Sequence, residues 1–236
     1  MRIAYLVSRF PHVSETFIVR ELNAVAEQPG IELTLGSLFA PVDTTLHEAA
    51  RPWLAELQRP VPLQALRDLL AWTVRRPLRV LSTVAIILAH HLGSPRLLVR
   101  ALATVPPAAF HARRLARSDA EHVHAHYATY PALAAWVVYR LAGVPYSFTA
   151  HAHDIYIDRR LLRRKLADAR FAVTISEFNR RLLEQLQQER DARTPVHLVR
   201  CGIEVARYRF VPRRPADAGA VRAACVASLQ EYKGHR

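Results

Sequence analysis

Tyr146-Ser147-Phe148-Thr149-Ala150-His151-Ala152-His153-Asp154 is the stretch that decides the fold of this 236-residue chain. It begins as an apolar run with high β-propensity and ends abruptly in two histidines and an acid. Runs of this kind form the buried strands of parallel α/β sheets, and such sheets carry their functional side chains at the carboxyl ends of the strands. The stretch therefore predicts a buried strand that delivers His151 to one edge of a parallel sheet.

The segments on either side of this stretch alternate between strand and helix patterns. Ser14 is placed to cap the first helix, where its neighbouring backbone amides could hold an anion or a sugar hydroxyl. Strands are predicted at residues 2–8, 31–35, 121–126, 146–151, 171–175 and 195–200, and helices follow from about 16, 130, 161 and 176. This repeated strand-helix-strand order predicts a parallel sheet with helices packed against it.

Residues 43–117 interrupt this order with a helical and strongly basic insertion, which prolines are expected to divide into several short helices. Its apolar run at residues 78–89 is shorter than the roughly 20 residues that a membrane-spanning helix needs. The formal net charge of +13 favours an anionic partner. Two interpretations stay open, namely a helical cover for the sheet and a helical surface that rests on an anionic membrane.

Both ends of the chain bear on its organisation. No secretory signal is recognised at the start, and Cys201 and Cys225 have no disulfide or metal-site spacing, so we expect a reducing, cytoplasmic environment. Residues 210–219 have the composition of an interdomain linker. The remaining residues 220–236 contain one predicted strand, which is too little for a domain. We therefore expect the chain to stop just inside a second domain.

Histidines are concentrated on two strands that we expect to be adjacent. His122, His124 and His126 should share one face of their strand, because side chains alternate with a period of two. With His151, His153 and Asp154 they could bind zinc, and a hydrolase would use the four histidines His124, His126, His151 and His153 as its metal site. They could instead serve as hydrogen-bonded structural groups or as an acid or base. A metal-dependent hydrolase and a non-enzymatic basic module that binds membranes or nucleic acid are therefore open alternatives. No G-x-G-x-x-G, phosphate-loop or G-x-S-x-G pattern is present.

Six motifs occur in a fixed order along the chain. They are Phe10–Ile18 (FPHVSETFI), His124–Ala128 (HAHYA), Pro145–Ile155 (PYSFTAHAHDI), Val173–Asn179 (VTISEFN), Val199–Glu204 (VRCGIE) and Leu229–His235 (LQEYKGH). With these motifs the chain resembles the amino-terminal half of a family-four glycosyltransferase with the GT-B fold, of the exopolysaccharide and colanic acid biosynthesis type.

The resemblance implies an α/β fold, with a Rossmann-like parallel sheet that has helices on both faces and the start of a second Rossmann-like domain. Residues 1–209 would form the acceptor-side domain, 210–219 the linker and 220–236 the truncated start of the donor-binding domain. It also implies retaining transfer of a hexose from a nucleotide sugar to a saccharide or polyprenyl-linked acceptor, without a metal, another cofactor or a nucleic-acid partner. The place of action would be the cytoplasmic face of the membrane, and this chain alone would be inactive.

The resemblance assigns roles to individual residues as well. His151 matches a cleft histidine that stabilises charge on the transferred sugar. On the donor side, Lys233 matches a phosphate-binding lysine and Gly202 lies in a matching motif. The acceptor side would be lined by Ser14, Glu15, His126 and Asp154. Two positions depart from many relatives: Ser228 replaces an arginine before the lysine, and Ser14-Glu15 replaces a glycine pair, as in exopolysaccharide-type relatives.

Overall fold

The computed structural model describes residues 1–42, 46–188, 193–203 and 205–212, together with 224–227, 231 and 234. The chain divides into two compact units, Met1–Gly202 and Ile203–Arg236. Within the second unit, the described residues include a short 3-10 turn at Val205–Arg207. Most of the predicted linker and residues 221–223 of the predicted strand lie outside the described residues, and the described part of that strand, 224–227, forms no sheet strand.

A six-stranded parallel sheet forms the centre of the first unit. Its strands are β1 (Arg2–Arg9), β2 (Glu32–Phe39), β3 (His122–His126), β4 (Tyr146–Ala150), β5 (Phe171–Thr174) and β6 (Val196–Leu198). They lie in the order β2-β1-β3-β4-β5-β6, and every neighbouring pair is parallel. The adjacent placement of β3 and β4 and the predicted α/β, Rossmann-like fold are therefore confirmed.

Helices connect these strands at the predicted places, but the cap of the first helix and one short helix differ from the prediction. The helices are α1 (Thr16–Ala26), α2 (Arg51–Glu56), α3 (Pro62–Arg75), α4 (Pro77–His91), α5 (Pro95–Leu115), α6 (Tyr130–Ala142), α7 (His153–Tyr156), α8 (Leu162–Asp168) and α9 (Glu177–Gln185). The prediction that Ser14 caps α1 is wrong, because Glu15 is the N-cap residue and makes no side-chain cap bond. The short helix α7 was not predicted. By contrast, Ser176 caps α9 as predicted and accepts a hydrogen bond from the backbone N–H of Asn179.

The prediction that Pro106 and Pro107 end a helix is also wrong, because α5 continues through both over 21 residues. One face of α5 is fully buried, including Ala101, Ala108 and Ala112. An interior proline costs about 3 kcal/mol in helix propensity. Burial of this long apolar face against α6 supplies the compensation that local sequence reasoning does not see.

Side chains of the sheet alternate between two hydrophobic clusters. Ala4 and Leu6 of β1 join the larger cluster, which includes residues of α3 to α6, α8 and α9. Tyr5 and Val7 join a smaller cluster with α1 and α2. The helices therefore cover both faces of the sheet. Because Val123 belongs to the larger cluster, the alternating histidines of β3 point to the face that α1 covers.

The inserted helices α3, α4 and α5 are anchored to the larger cluster through polar contacts as well as apolar ones. The Trp72 ring N–H donates to the Ala109 carbonyl over 3.1 Å, and the Arg140 guanidinium of α6 donates to the Thr83 hydroxyl over 2.8 Å. Among the described residues, we find no helix that combines the length and the apolar character needed to cross a membrane.

Candidate active site

The carboxyl ends of β1, β3 and β4 meet at the point where the order of the strands reverses. The chain passes from β1 outward to β2 and then returns to place β3 on the other side of β1. Open α/β sheets bind ligands outside the carboxyl ends of the strands at such a switch point. His126 ends β3 and His151 follows β4 directly, so the topology brings these two predicted site residues to this edge.

His151 lies at the centre of an aromatic cluster. Its ring centroid is 4.8 Å from those of Phe17 and Tyr127 and 5.8 Å from that of His126. Burial, with a further contribution from His126, lowers the pKa of His151 to about 4. The imidazole is therefore neutral at physiological pH. Its Nε2 atom is buried and makes no hydrogen bond within the described part of the chain.

Asp154 and Asn179 hold the backbone around His151. The carboxylate of Asp154 is buried and accepts backbone hydrogen bonds from Ala128 (2.8 Å), His151 (3.1 Å) and Ala152 (2.7 Å). The side-chain amide of Asn179, on α9, donates to the His151 carbonyl over 2.5 Å. These bonds join the loop after β3 to the turn after β4, so the position of His151 is set by tertiary contacts.

A network of buried hydrogen bonds continues from this edge along β3 and β4. Ser147 Oγ lies 2.7 Å from both His122 Nε2 and His124 Nδ1, and Thr149 Oγ1 lies 2.9 Å from His124 Nε2. Burial lowers the pKa of His122 to about 4 and, with the charge of His126, that of His124 to about 3. His122 and His124 are therefore neutral groups whose role in the structure is to hold β3 and β4 in register.

Glu21 of α1 reaches into the site and was missed by the sequence analysis. Its Oε1 atom accepts a hydrogen bond from the Tyr5 hydroxyl over 3.1 Å and lies 3.2 Å from His126 Nε2. The two atoms are at ion-pair distance, although the ring nitrogen is not aligned for a hydrogen bond. Burial alone would raise the pKa of Glu21, but His126 and His124 outweigh burial and lower it to about 2.

Glu15 and Ser14 lie on the loop between β1 and α1. Burial raises the pKa of Tyr127, and the charge and a hydrogen bond of Glu15 raise it further, which places that carboxylate at the tyrosine beside His151. Tyr127 has a φ of 78°, a conformation that is costly for a residue other than glycine and that clusters at functional sites. Ser14 Oγ lies 3.0 Å from His12 Nδ1. The structure thus brings Glu15 to the site, with Ser14 next to it.

The donor-side residues are only partly described. The carbonyl of Gly202 accepts a hydrogen bond from the Arg20 guanidinium of α1 over 3.0 Å. This contact returns the segment after β6 to the same helix that carries Glu21. Lys233 lies outside the described residues, and its role stays a prediction.

The predicted metal ligands are not assembled as a set of four histidines. In the described part of the chain, the group whose potential ligand atoms lie within 4.8 Å of one another consists of Glu21, His124 and His126. His151 and His153 are not part of that group. The candidate ligands in the structure are thus two histidines of β3 and the Glu21 carboxylate of α1, rather than histidines from β3 and from the segment after β4.

Comparison with known proteins decides the family. The profile of Glycosyltransferase Family 4 matches residues 86–207, just over half of the chain. The chain belongs to glycosyltransferase family 4. The matched region of this family 4 chain runs from within α4 through β6 and contains His126, His151 and Asp154, and it does not favour the metal-dependent hydrolase or the basic binding module.

Two solved glycosyltransferase structures are similar to this family 4 chain. Phytolacca americana UGT2, complexed with UDP-2-fluoro-glucose and pterostilbene, has 10% identity and a TM-score of 0.44 over 84% of the chain and 52% of that structure. The lipopolysaccharide outer core galactosyltransferase WaaB in its apo form has 13% identity and a TM-score of 0.45 over 79% of the chain and 42% of that structure. The chain therefore spans about half of their length or less. No curated protein matches it significantly.

Proposed function

We propose that this chain is the acceptor-side part of a retaining glycosyltransferase that moves a hexose from a nucleotide-diphosphate sugar to a saccharide or polyprenyl-linked acceptor, in exopolysaccharide biosynthesis. The observation that carries the proposal is His151, a neutral imidazole at the switch point whose buried Nε2 has no hydrogen-bond partner among the described residues. A buried polar atom without a partner is costly, and a bound ligand that hydrogen-bonds it removes that cost. Membership in family 4 supports the reaction class.

In this proposal His151 acts at the reacting sugar. As the bond between the sugar and the phosphate breaks, positive charge develops on the sugar ring, and a fixed imidazole dipole can stabilise it without reorganising. Asp154 and Asn179 are positioning residues, since they hold the His151 backbone through its N–H and its carbonyl. No metal ion or other cofactor is needed for this step, and no nucleic acid takes part.

The other predicted residues divide between the two substrates. Glu15, Ser14 and His126 would bind the acceptor, since they lie beside His151 or on the loop that leads to it. Asp154 contributes to the acceptor side through the loops that it joins. Gly202 and Lys233 would belong to the donor side. Residues 1–209 are then the acceptor domain, 210–219 the linker and 220–236 the start of the donor domain.

Binding and turnover by the chain as it stands test this division. NMR titration of the isotope-labelled chain with short polyprenyl-linked saccharides should shift the imidazole signals of His126 and of its neighbour His151. Glu15→Gln should weaken acceptor binding, and His90→Gln, a change at an exposed histidine of α4, should not. The proposal is overturned if no acceptor perturbs the folded chain. Transfer by this chain alone would contradict the half-site assignment.

We further propose that the enzyme acts at an anionic membrane surface, and a specific feature of α3 favours this. The leucine stripe, which we define as Leu63, Leu66, Leu70 and Val74, has exposed fractions of 79%, 56%, 64% and 75%. These residues recur at helical spacing and lie opposite the buried Ala65, Asp68 and Trp72 of the same helix. The helix therefore has one apolar face in the core and a second apolar face in solvent.

Charge and position support a lipid partner for the leucine stripe. Arg67 lies on its flank with 69% of its side chain exposed, and α4 continues the apolar surface with exposed Leu78 and Leu81. Helices that lie in a membrane interface combine leucines on one side with arginines at the border, which attract anionic lipids. Residues 62–75 lie outside the region 86–207 that the family profile matches.

Liposome flotation tests the membrane contact. The chain should float with vesicles of phosphatidylglycerol and phosphatidylcholine and much less with phosphatidylcholine alone, and salt should weaken its binding. Leu70→Glu should abolish flotation, while Val42→Glu, at a residue that is 73% exposed away from α3, should not. Binding that ignores anionic lipid, or that survives Leu70→Glu, would remove the proposal.

A further inference from the structure

Three potential metal ligands form a cluster on the α1 side of the sheet. Glu21 comes from α1, and His124 and His126 come from β3. Glu21 Oε1 lies 3.2 Å from His126 Nε2 and 4.0 Å from His124 Nε2. We propose that this zinc cluster, defined as Glu21, His124 and His126, binds one divalent transition-metal ion, with zinc as the best fit. The proposal does not rest on the proposed transferase function.

The spacing of the cluster suits a tetrahedral ion. Two ligand atoms bound to zinc at about 2.0–2.2 Å and at the tetrahedral angle lie about 3.3–3.6 Å apart. The separations of 3.2 Å and 4.0 Å from Glu21 Oε1 fall on either side of that range. The potential ligand atoms of all three residues lie within 4.8 Å of one another, so a single ion can contact the whole set after local adjustment. Two histidines and one carboxylate are also a ligand set that zinc prefers.

The state of His126 points to a missing ligand. Its side chain is completely buried, and neither ring nitrogen makes a hydrogen bond among the described residues. An unsatisfied buried nitrogen carries a desolvation cost that neither the aromatic contact with Tyr5 nor the misaligned carboxylate removes. Coordination of Nε2 by a cation held between His126 and Glu21 would remove that cost for Nε2, and the carboxylate would balance part of the ion's charge.

The groups around the cluster already have the arrangement that supports metal ligands. Ser147 Oγ can donate its proton to His122 and accept from His124 Nδ1–H, which leaves the lone pair of His124 on Nε2, toward Glu21. The Tyr5 hydroxyl donates to the Glu21 carboxylate over 3.1 Å. Such outer hydrogen bonds orient ligating imidazoles and carboxylates. Thr149, which now contacts His124 Nε2, would give way to the ion.

An ion can reach the cluster from solvent. The Glu21 side chain is 37% exposed, so an ion can reach the cluster from solvent at that carboxylate. Water would complete the fourth position.

Cobalt(II) titration of the chain, purified without a histidine tag and treated with chelator, tests the proposal directly. One equivalent of Co²⁺ should produce the intense visible d–d absorption of a tetrahedral site, and Zn²⁺ should bleach it. Glu21→Gln should weaken metal binding by at least about 100-fold. The loss of a residue that only hydrogen-bonds a ligand already lowers metal affinity by up to about 100-fold, and Glu21 would be a ligand itself. His126→Gln should have a comparable effect.

Controls separate this site from adventitious binding and from misfolding. His90→Gln, at an exposed histidine of α4, should bind cobalt as the unmodified chain does. Far-ultraviolet circular dichroism of the metal-free variants checks folding. If His126→Gln fails to fold, the test rests on Glu21→Gln, an isosteric change at a partly exposed residue. Absence of the tetrahedral band overturns the proposal. So does equal affinity in the folded Glu21→Gln variant, or loss of binding in His90→Gln.

Discussion

Replacing Asp154 by asparagine should destabilise the fold strongly, because this carboxylate joins two loops through backbone hydrogen bonds. Its Oδ2 accepts from Ala128 over 2.8 Å and its Oδ1 from Ala152 over 2.7 Å, with His151 N–H at 3.1 Å. An asparagine offers one oxygen, so in either orientation its NH₂ group faces a buried backbone N–H. The loss of a hydrogen bond to a charged group costs about 1.5–3 kcal/mol, and the N–H left without a partner costs about 1–3 kcal/mol more.

The smaller desolvation cost of the neutral amide offsets part of this loss, so we expect Asp154→Asn to lower the free energy of unfolding by about 2–4 kcal/mol. Urea unfolding at pH 7, followed by circular dichroism, measures the change, provided that the m-values agree. The matched control is Asp119→Asn, whose carboxylate contacts Arg2 over 2.6 Å but is 86% exposed. An exposed ion pair contributes about 0.2–1 kcal/mol. If the two variants agree within 1 kcal/mol, roughly the spread of exposed pairs, then Asp154 does not hold the loops.

Two further outcomes follow from buried groups near β2. Gly36→Ala should destabilise the fold by about 1–3 kcal/mol by overpacking, because the new Cβ would lie 2.7 Å from side-chain atoms of His111 and Leu6. The control is Gly93→Ala, whose new Cβ meets nothing within 4 Å and which should leave the free energy of unfolding nearly unchanged in the same thermal or urea unfolding assay. Burial lowers the pKa of His111 from 6.5 to about 4. Between these two pH values the unfolded state binds one more proton than the folded state. His111 alone should therefore lower the free energy of unfolding by about 1.4 kcal/mol for each pH unit by which the pH falls. His111→Gln, whose amide can still donate to the Ser37 carbonyl, should reduce the slope of unfolding free energy against pH by one proton, and an unchanged slope would contradict this account.

The alternation of apolar strands and amphipathic helices is local information, and it predicted most of the fold. The apolar run 146–151 became β4, and the alternating run 121–126 became β3 with its histidines on one face, because side chains of a strand alternate regardless of what packs on them. The predictions that failed depend on packing. Pro106 and Pro107 break an isolated helix, but the buried face of α5 outweighs their cost.

The candidate site shows the same division between local and tertiary information. His126 and His151 could be selected from sequence because each ends or follows a buried strand. Glu21 could not, since a glutamate within an amphipathic helix looks like any solvent-facing residue until α1 packs over β3.

The sequence by itself determined that the chain forms a parallel α/β sheet and that histidines gather at its carboxyl edge, and four of its six ordered motifs lie in the region that the family 4 profile matches. Only the tertiary structure decided that His151 is neutral and that its Nε2 has no hydrogen-bond partner among the described residues. It also decided that the Asp154 carboxylate accepts hydrogen bonds from backbone N–H groups, and that Glu21 lies next to His126. The reason is physical: periodicity records which face a residue points to, whereas pKa values and hydrogen-bond partners depend on groups that are distant in the chain and meet only on folding.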